Sequence, residues 1–120
     1  MKTVIKRNTV EIDAAGQAVG RVATQIAKAL MGKNSATFER HIDRGDKVVV
    51  HNASKVKFTG KKLVQKDYYH HTMHPGGIKR TPLKKVFDAK PHEVIERAVY
   101  GMLPKNRQRD ELMKRLIVNK

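Results

Sequence analysis

Residues 45–62 read Gly-Asp-Lys-Val-Val-Val-His-Asn-Ala-Ser-Lys-Val-Lys-Phe-Thr-Gly-Lys-Lys, and they predict the strand around which the fold is built. The valines at 48–50 have high strand propensity, and their lack of apolar–polar alternation predicts burial on both faces. A turn at 52–54 follows, and residues 56–59 then alternate as a half-buried strand does. Gly60 ends this second strand and opens a basic loop.

The flanking segments predict helices that cover the central strand. Residues 17–31 carry apolar side chains at helical spacing and end at Gly32, which is typical of an amphipathic helix with a glycine C-cap. Residues 91–103 carry a second apolar stripe, which Pro104 ends. Shorter elements are predicted as strands at 10–12 and 116–118, and as helices at 81–87, with Thr81 as the N-cap, and at 110–115. Helices interleaved with strands indicate an α/β sandwich.

Four segments are predicted to lack regular structure. Residues 1–9 read as a basic N-terminal tail that orders only against a partner. Residues 34–44 read as a loop before the central strand, and 105–109 as a basic connector. Residues 63–77 are rich in Tyr, His, Pro and Gly, which favours an extended functional loop. No repeat or linker marks a boundary, so we expect a single domain spanning residues 1–120.

The charge balance is the strongest compositional signal. The 120 residues hold 26 Lys and Arg against 11 Asp and Glu, which leaves a formal net charge of +15. Self-repulsion of this size destabilises a free compact monomer. A polyanionic partner that supplies the counter-charge is the simplest explanation, with nucleic acid first and an anionic membrane a distant second.

The absence of cysteine excludes disulfides, thiolate metal sites and cysteine catalysis, and fits a reducing compartment. No stretch approaches the roughly 20 apolar residues that cross a bilayer, and the N-terminus lacks the apolar core of a signal peptide. We therefore expect a soluble cytosolic protein, or an organellar protein whose transit segment is not in this chain.

Catalytic and metal-binding patterns are weak. His70, His71 and His74 lie close together, but they have only one nearby carboxylate and no cysteine, so we expect neither a metal site nor a cofactor. The glycines before the first helix lack the dinucleotide-binding spacing, and the Thr-Gly-Lys-Lys run at 59–62 lacks the upstream glycine of a phosphate-binding loop. The acidic residues do not converge on one cleft, so we expect no enzyme activity.

RNA binding has broader support, because cations recur in nearly every predicted loop and residues 55–66 contain no acid. Tyrosine and histidine rings lie among these cations, and rings that stack on unpaired bases together with cations that meet phosphates suit irregular folded RNA. The candidate RNA-binding residues on these grounds are Lys33, Arg40, Lys61, Lys62, Lys66, Tyr68, Tyr69, His70, His71, His74, Lys79, Arg80, Lys105, Arg107 and Arg109.

Several blocks occur in one order along nearly the whole chain, from about residue 10 to 118. They are Ile12-Asp-Ala, Gly20-Arg-Val-Ala, Gly32-Lys33, Gly45-Asp-Lys-Val-Val-Val with Asn52-Ala53, Thr59-Gly-Lys-Lys62, Tyr69 with His71, Pro75-Gly-Gly77 and Ala98-Val-x-Gly-Met-Leu-Pro-Lys-Asn106. Together they closely resemble the large-subunit ribosomal protein thirteen family, of bacterial or organellar type.

The resemblance implies a three-layer α/β/α domain around a small, largely parallel sheet. It also implies a structural role on large-subunit rRNA beside neighbouring ribosomal proteins, participation in early subunit assembly, and neither catalysis nor a cofactor. RNA contacts carried over through the matching motifs fall at Arg21, Lys61, Lys62, Tyr69, His71, Gly76, Gly77, Lys105 and Asn106.

The sequence departs from the family pattern at three places. No tryptophan stands near Val10, and His51 replaces an aliphatic residue, so we expect that strand end to be more exposed. The sequence ends at Lys120, before the tail that the resemblance implies for bacterial members, so we expect contacts of that tail to be absent or replaced. Two other functions remain open on the residues alone: an RNA-modifying or nucleotide-dependent enzyme on an α/β scaffold, and a basic DNA-compacting protein.

Overall fold

A three-stranded parallel sheet forms the centre of the computed structural model, which describes residues 7–33, 36 and 45–120. A separate two-stranded antiparallel hairpin flanks it. In chain order the elements are β1 (Thr9–Asp13), α1 (Val19–Met31), β2 (Lys47–His51), a 3-10 turn (Ala53–Lys55), α2 (Lys62–Gln65), β3 (Asp67–His71), β4 (Ile78–Pro82), α3 (Leu83–Ala89), α4 (Pro91–Met102), α5 (Gln108–Met113) and β5 (Leu116–Val118).

The predicted valine strand is the middle strand of the sheet, paired in parallel with β1 on one side and β5 on the other. Val48 and Val50 are fully buried, and the buried side chains of α1 and α4 pack on them in one core cluster. Val49 points to the opposite face and is only half-buried, beside Ile117, which is 41% exposed. Burial on both faces is therefore only partly confirmed. An α/β domain around a small, largely parallel sheet is confirmed.

The two long helices form where their apolar stripes predict them. The inner face of α1 buries Val22, Ile26 and Leu30, and Gly32 ends the helix at φ 79°, a left-handed conformation that glycine adopts without strain. The stripe of α4 buries Val94, Ile95 and Val99. Each fully buried aliphatic side chain contributes about 1.5–3 kcal/mol by leaving water. Within the described residues, none of the helices combines the length and apolar character needed to span a bilayer.

One junction fastens the end of α1 to the start of β2. The Arg115 guanidinium donates to the Leu30 carbonyl at 2.9 Å, and the Asp46 N–H donates to the Ala29 carbonyl at 3.0 Å. Arg7 donates to the Gly45 carbonyl at 2.5 Å. Residues 7–9 of the expected tail therefore contact the domain, with Thr9 already in β1, while residues 1–6 lie outside the described part.

The opposite end of the sheet is joined through Asp13, the last residue of β1. Its carboxylate accepts hydrogen bonds from the Asn52 amide and from the Ala15 N–H, both at 3.0 Å. These two bonds, the Asn52 bond foremost, lower the pKa of Asp13 below its usual value. Asn52 itself has φ 61°, the left-handed conformation that asparagine tolerates better than most residues.

The predicted connector at 105–109 is two residues too long, since α5 begins at Gln108 and ends at Met113. Three other local predictions are wrong. Residues 56–59 form no strand, and their only pairing is an isolated bridge from Lys57 to Ala18. Their alternating apolar side chains pack in the interior instead: Val56 is buried, and Phe58 contacts Phe87 edge-to-face with ring centroids 5.0 Å apart. The expected loop at 63–77 holds the end of α2 and all of β3, whose pairing with β4 is a long-range contact that composition does not reveal. The predicted cap Thr81 lies in β4, so α3 begins only at Leu83.

Candidate nucleic-acid interface

The β3–β4 hairpin carries the predicted ring-and-cation segment. Its register places Tyr69 opposite Arg80 and His70 opposite Lys79. Successive side chains of a strand point to opposite faces, so the adjacent histidines His70 and His71 do not converge. The Tyr69 ring is 70% exposed, while Arg80 pairs with the Asp67 carboxylate at 3.5 Å. The hairpin therefore presents the Tyr69 ring, its histidine rings and the cations Lys79 and Arg80 to solvent.

The tip of the hairpin is held by its own backbone. The Thr72 N–H donates to the Gly77 carbonyl at 2.6 Å, and the Gly77 N–H donates to the His74 carbonyl at 2.9 Å. A Cβ on Gly77 would lie 1.9 Å from the Thr72 hydroxyl oxygen, and Gly76 has φ 72°. The turn itself therefore requires glycine at both positions. This requirement explains the two glycines independently of the RNA contact that the resemblance implies. His74 is exposed.

Tyr68 faces the body of the protein, where cations cover its ring. The Arg97 guanidinium lies 4.4 Å from the ring centroid, and the Lys66 ammonium lies 5.7 Å from it. Burial raises the pKa of the Tyr68 hydroxyl above its usual value, the charge of Arg97 opposes that shift, and Glu93 adds to it. Glu93 also accepts a hydrogen bond from Arg97 at 2.8 Å. Tyr68 therefore positions cations, in contrast to the open ring of Tyr69.

A groove of about 290 Å³ separates the hairpin and α2 from the two long helices. Three of the predicted residues, Lys62, Lys66 and Tyr68, gather on its rim. Sequence reasoning missed Arg97, which joins them from α4. The only local signal for Arg97 is its position four residues after Glu93, since its ring partner comes from a distant part of the chain.

A second cation-on-ring pair lies at the end of α4. Arg109 stacks on Tyr100 with its guanidinium carbon 3.7 Å from the ring centroid, and it donates to the Tyr100 hydroxyl at 2.7 Å. The Asn106 side-chain oxygen accepts from the Gln108 N–H at 3.0 Å, which forms an Asx-type turn at the start of α5. Arg109 therefore lies in α5, where its contacts with Tyr100 fix its guanidinium. The other two cations of the predicted connector, Lys105 and Arg107, are exposed. Tyr100 was also missed.

The remaining candidates lie apart from these groups. Arg21 stands in the first turn of α1 and Lys33 lies just beyond its C-cap, and the helical stretch from Arg21 to Met31 alone spans roughly 15 Å. Arg21 lines a separate groove of about 480 Å³ with Lys57, another cation that the sequence analysis did not select. Lys61 is exposed before α2, and Arg40 lies outside the described residues. The cations therefore occupy several edges of the domain.

Metal-binding groups of three or more His, Cys, Asp or Glu side chains do not occur in the described part of the chain. The three hairpin histidines that invite such a reading are spread over both faces and the tip of the hairpin.

Comparisons of the sequence with known proteins identify the family. The sequence matches the family described as "Ribosomal protein L13" over residues 7–120. The large ribosomal subunit protein uL13 of Maridesulfovibrio salexigens is 53% identical over 114 residues, which is 95% of this chain and 80% of the relative. The protein of the same name from Caldanaerobacter subterraneus subsp. tengcongensis is 52% identical over the same shares, and that of Agathobacter rectalis is 54% identical over 101 residues, 84% of this chain and 71% of the relative. The chain belongs to the ribosomal protein L13 family.

Proposed function

We propose that the protein, as a single domain, is a structural component of the large ribosomal subunit that binds and organises its rRNA and supports early subunit assembly. The observation that carries the proposal is the distribution of exposed cations over several separate edges of one packed domain in a member of this family. The relatives are named as large ribosomal subunit proteins, which supports rRNA and neighbouring ribosomal proteins as partners on cytoplasmic ribosomes.

The mechanism is electrostatic cross-linking by a rigid body. RNA segments that fold against each other repel through their phosphates, and each cation that meets a phosphate releases a counterion and lowers that repulsion. Cations on separate edges reach different RNA segments at once, while the sheet and its two helices fix their spacing. The RNA-contacting residues in this proposal are Arg21, Lys33, Arg40, Lys61, Lys62, Lys66, Tyr68, Tyr69, His70, His71, His74, Gly76, Gly77, Lys79, Arg80, Lys105, Asn106, Arg107 and Arg109.

The enzyme alternative has no support in the family membership, because the family is one of structural ribosomal proteins. The binding role needs no reacting group, since preformed cations and rings recognise RNA without chemistry. The DNA-compacting alternative predicts comparable affinity for duplex DNA and folded rRNA at physiological salt, so a binding comparison of the two separates it from the proposal.

The test is assembly into subunits. The Lys105→Ala/Arg107→Ala variant removes two exposed cations of the proposed interface, and Lys114→Ala/Lys120→Ala removes two exposed cations outside it. Tagged proteins are expressed beside the wild type, and large subunits are isolated on sucrose gradients at low and high salt. We expect the first variant to incorporate less and to wash off at lower salt, and the control to match the wild type. Wild-type protein found only in the soluble pool contradicts the proposal.

A further inference from the structure

The groove between the hairpin and the long helices has an apolar floor that RNA phosphates do not need. Its apolar lining includes the buried side chains of Leu83 and Val94, together with Ala98 and Met102, of which Met102 is 45% exposed. Phe58 closes another side, held by its edge-to-face contact with Phe87. An open apolar floor of this kind favours a flat, weakly polar group that leaves water on binding.

The rim of the same groove is cationic. Lys62, Lys66 and Arg97 line it, and among the residues that the structure describes no carboxylate does. Glu93 compensates only Arg97, through the 2.8 Å ion pair. The groove therefore combines an apolar floor with two uncompensated ammonium groups at its edge, which complements a ligand that joins a flat ring system to an anion.

Arg97 is placed to stack on such a ring. One side of its guanidinium lies 4.4 Å from the Tyr68 centroid, and its side chain remains 44% exposed. Guanidinium planes stack on unpaired bases, and Tyr68 with Glu93 holds this plane in position before the base arrives. This fixed orientation reduces the entropy that ordering the arginine on binding would cost.

The size of the groove selects among anionic ligands. Its volume of about 290 Å³ lies just below the range of roughly 300–1,000 Å³ for small-ligand pockets. A single extruded nucleotide suits that scale. A single turn of a protein helix, about 10–12 Å across with its side chains and about 5.4 Å long, exceeds this volume, and an RNA duplex is larger still.

We infer that this groove takes one unpaired nucleotide of single-stranded RNA. The base lies on the Arg97 guanidinium and the apolar floor, and the phosphate meets Lys62 and Lys66. The inference rests on the proposed rRNA-binding function and adds to it a site that reads an exposed base, beside the backbone contacts made elsewhere on the surface.

The experiment compares a short, end-labelled single-stranded RNA with the same oligonucleotide in abasic form, which keeps the phosphates and lacks the bases. Full-length protein is titrated at fixed salt by fluorescence anisotropy. We expect the RNA with bases to bind at least about fivefold more tightly, because base stacking contributes at least about that factor per base.

Two variants and a control test the location. Ala98→Leu fills the groove, and Ala89→Leu adds the same atoms to an exposed position at the end of α3, outside the groove. We expect Ala98→Leu to reduce the preference for bases to the part that the exposed hairpin rings contribute, and Ala89→Leu to keep it in full. Arg97→Lys keeps the charge but loses the plane, so it also loses most of the preference while its salt dependence stays that of the wild type. Circular dichroism melts establish that all three variants fold.

Crosslinking in the assembled subunit identifies the occupant. A photoreactive phenylalanine analogue at position 102 is expected to crosslink to rRNA, whereas a crosslink to a neighbouring protein overturns the inference. Equal binding of the two oligonucleotides by the wild type, or a preference that is as strong in Ala98→Leu as in Ala89→Leu, also overturns it. If the inference fails in one of these ways but the variants still incorporate into subunits, the proposed function is unaffected. The proposed function itself fails only if the wild-type protein is absent from the large subunit.

Discussion

Gly45→Ala tests whether the junction between α1 and β2 holds the domain together. A Cβ at this position would lie 1.5 Å from the Leu30 carbonyl oxygen, 2.4 Å from the carbonyl carbon and 2.8 Å from the Arg115 guanidinium. Both neighbours are constrained, because Arg115 donates to that same carbonyl at 2.9 Å and Asp46 bonds the residue before it. The methyl group can enter only if the end of α1 moves away from β2.

The magnitude follows from those two effects. Forcing one extra methyl into a packed site costs about 1–3 kcal/mol, and losing a hydrogen bond to a charged group costs about 1.5–3 kcal/mol. We therefore expect Gly45→Ala to lower the free energy of unfolding by about 2.5–6 kcal/mol, a large part of the roughly 5–15 kcal/mol of a typical domain. At about 4 °C per kcal/mol for a chain of this size, the Tm falls by about 10 °C or more.

The assay is urea and thermal unfolding followed by circular dichroism, with Gly101→Ala as the matched control. Nothing lies within 4 Å of a Cβ on Gly101, which stands inside α4. Alanine there is expected to stabilise by roughly 0.5–1 kcal/mol, because glycine loses more backbone freedom in a helix. The same chemical change thus has opposite signs at the two sites. A Gly45→Ala protein within 1 kcal/mol of the wild type refutes the reasoning about the junction.

Three further predictions concern charge and titration. Lys61→Ala/Lys62→Ala is expected to reduce the slope of log affinity for rRNA against log salt by up to about 1.4–1.8, measured by filter binding, and an unchanged slope shows that these lysines meet no phosphate. With the other two tyrosines replaced by Phe, absorbance titration is expected to give Tyr68 a pKa above its usual 10.0. Because folding favours the neutral phenol, the stability that this preference contributes is present below pH 10.0 and is lost as the pH rises from 10.0 through the folded pKa. Asn52→Gly keeps the left-handed backbone but removes the amide, so NMR titration is expected to show the pKa of Asp13 rising towards 3.8. Because the pKa of Asp13 is lowered by folding, the stability that its carboxylate contributes is present above the unfolded pKa and is lost as the pH falls through the folded pKa. This loss of stability in acid is expected to be smaller in Asn52→Gly. If Asp13 titrates identically in the two proteins, the Asn52 hydrogen bond is not what lowers its pKa.

Local sequence patterns were sufficient to predict the two long helices and the central strand of this protein. The apolar stripes of α1 and α4 and the valine run of β2 are properties of neighbouring residues, and the elements formed where those patterns lie. The excess of cations likewise indicated a polyanionic partner without any coordinates. The predicted lysines are exposed because charged side chains stay in water wherever the fold puts them, whereas of the two hairpin tyrosines only Tyr69 is exposed.

Tertiary contacts decided the rest. Residues 56–59 have the alternation of a strand but no partner strand, since the sheet already places β1 and β5 on the two edges of β2. The hairpin forms from a His-, Pro- and Gly-rich segment because β4 arrives to pair with β3, which no local rule reports. Arg97 and Tyr100 join the interface only because α4 brings them against Tyr68 and Arg109. Periodicity and charge are properties of a few neighbouring residues, so they can be predicted from the sequence. A groove lies between segments that are distant in the sequence, so it exists only once the core has fixed where each segment lies.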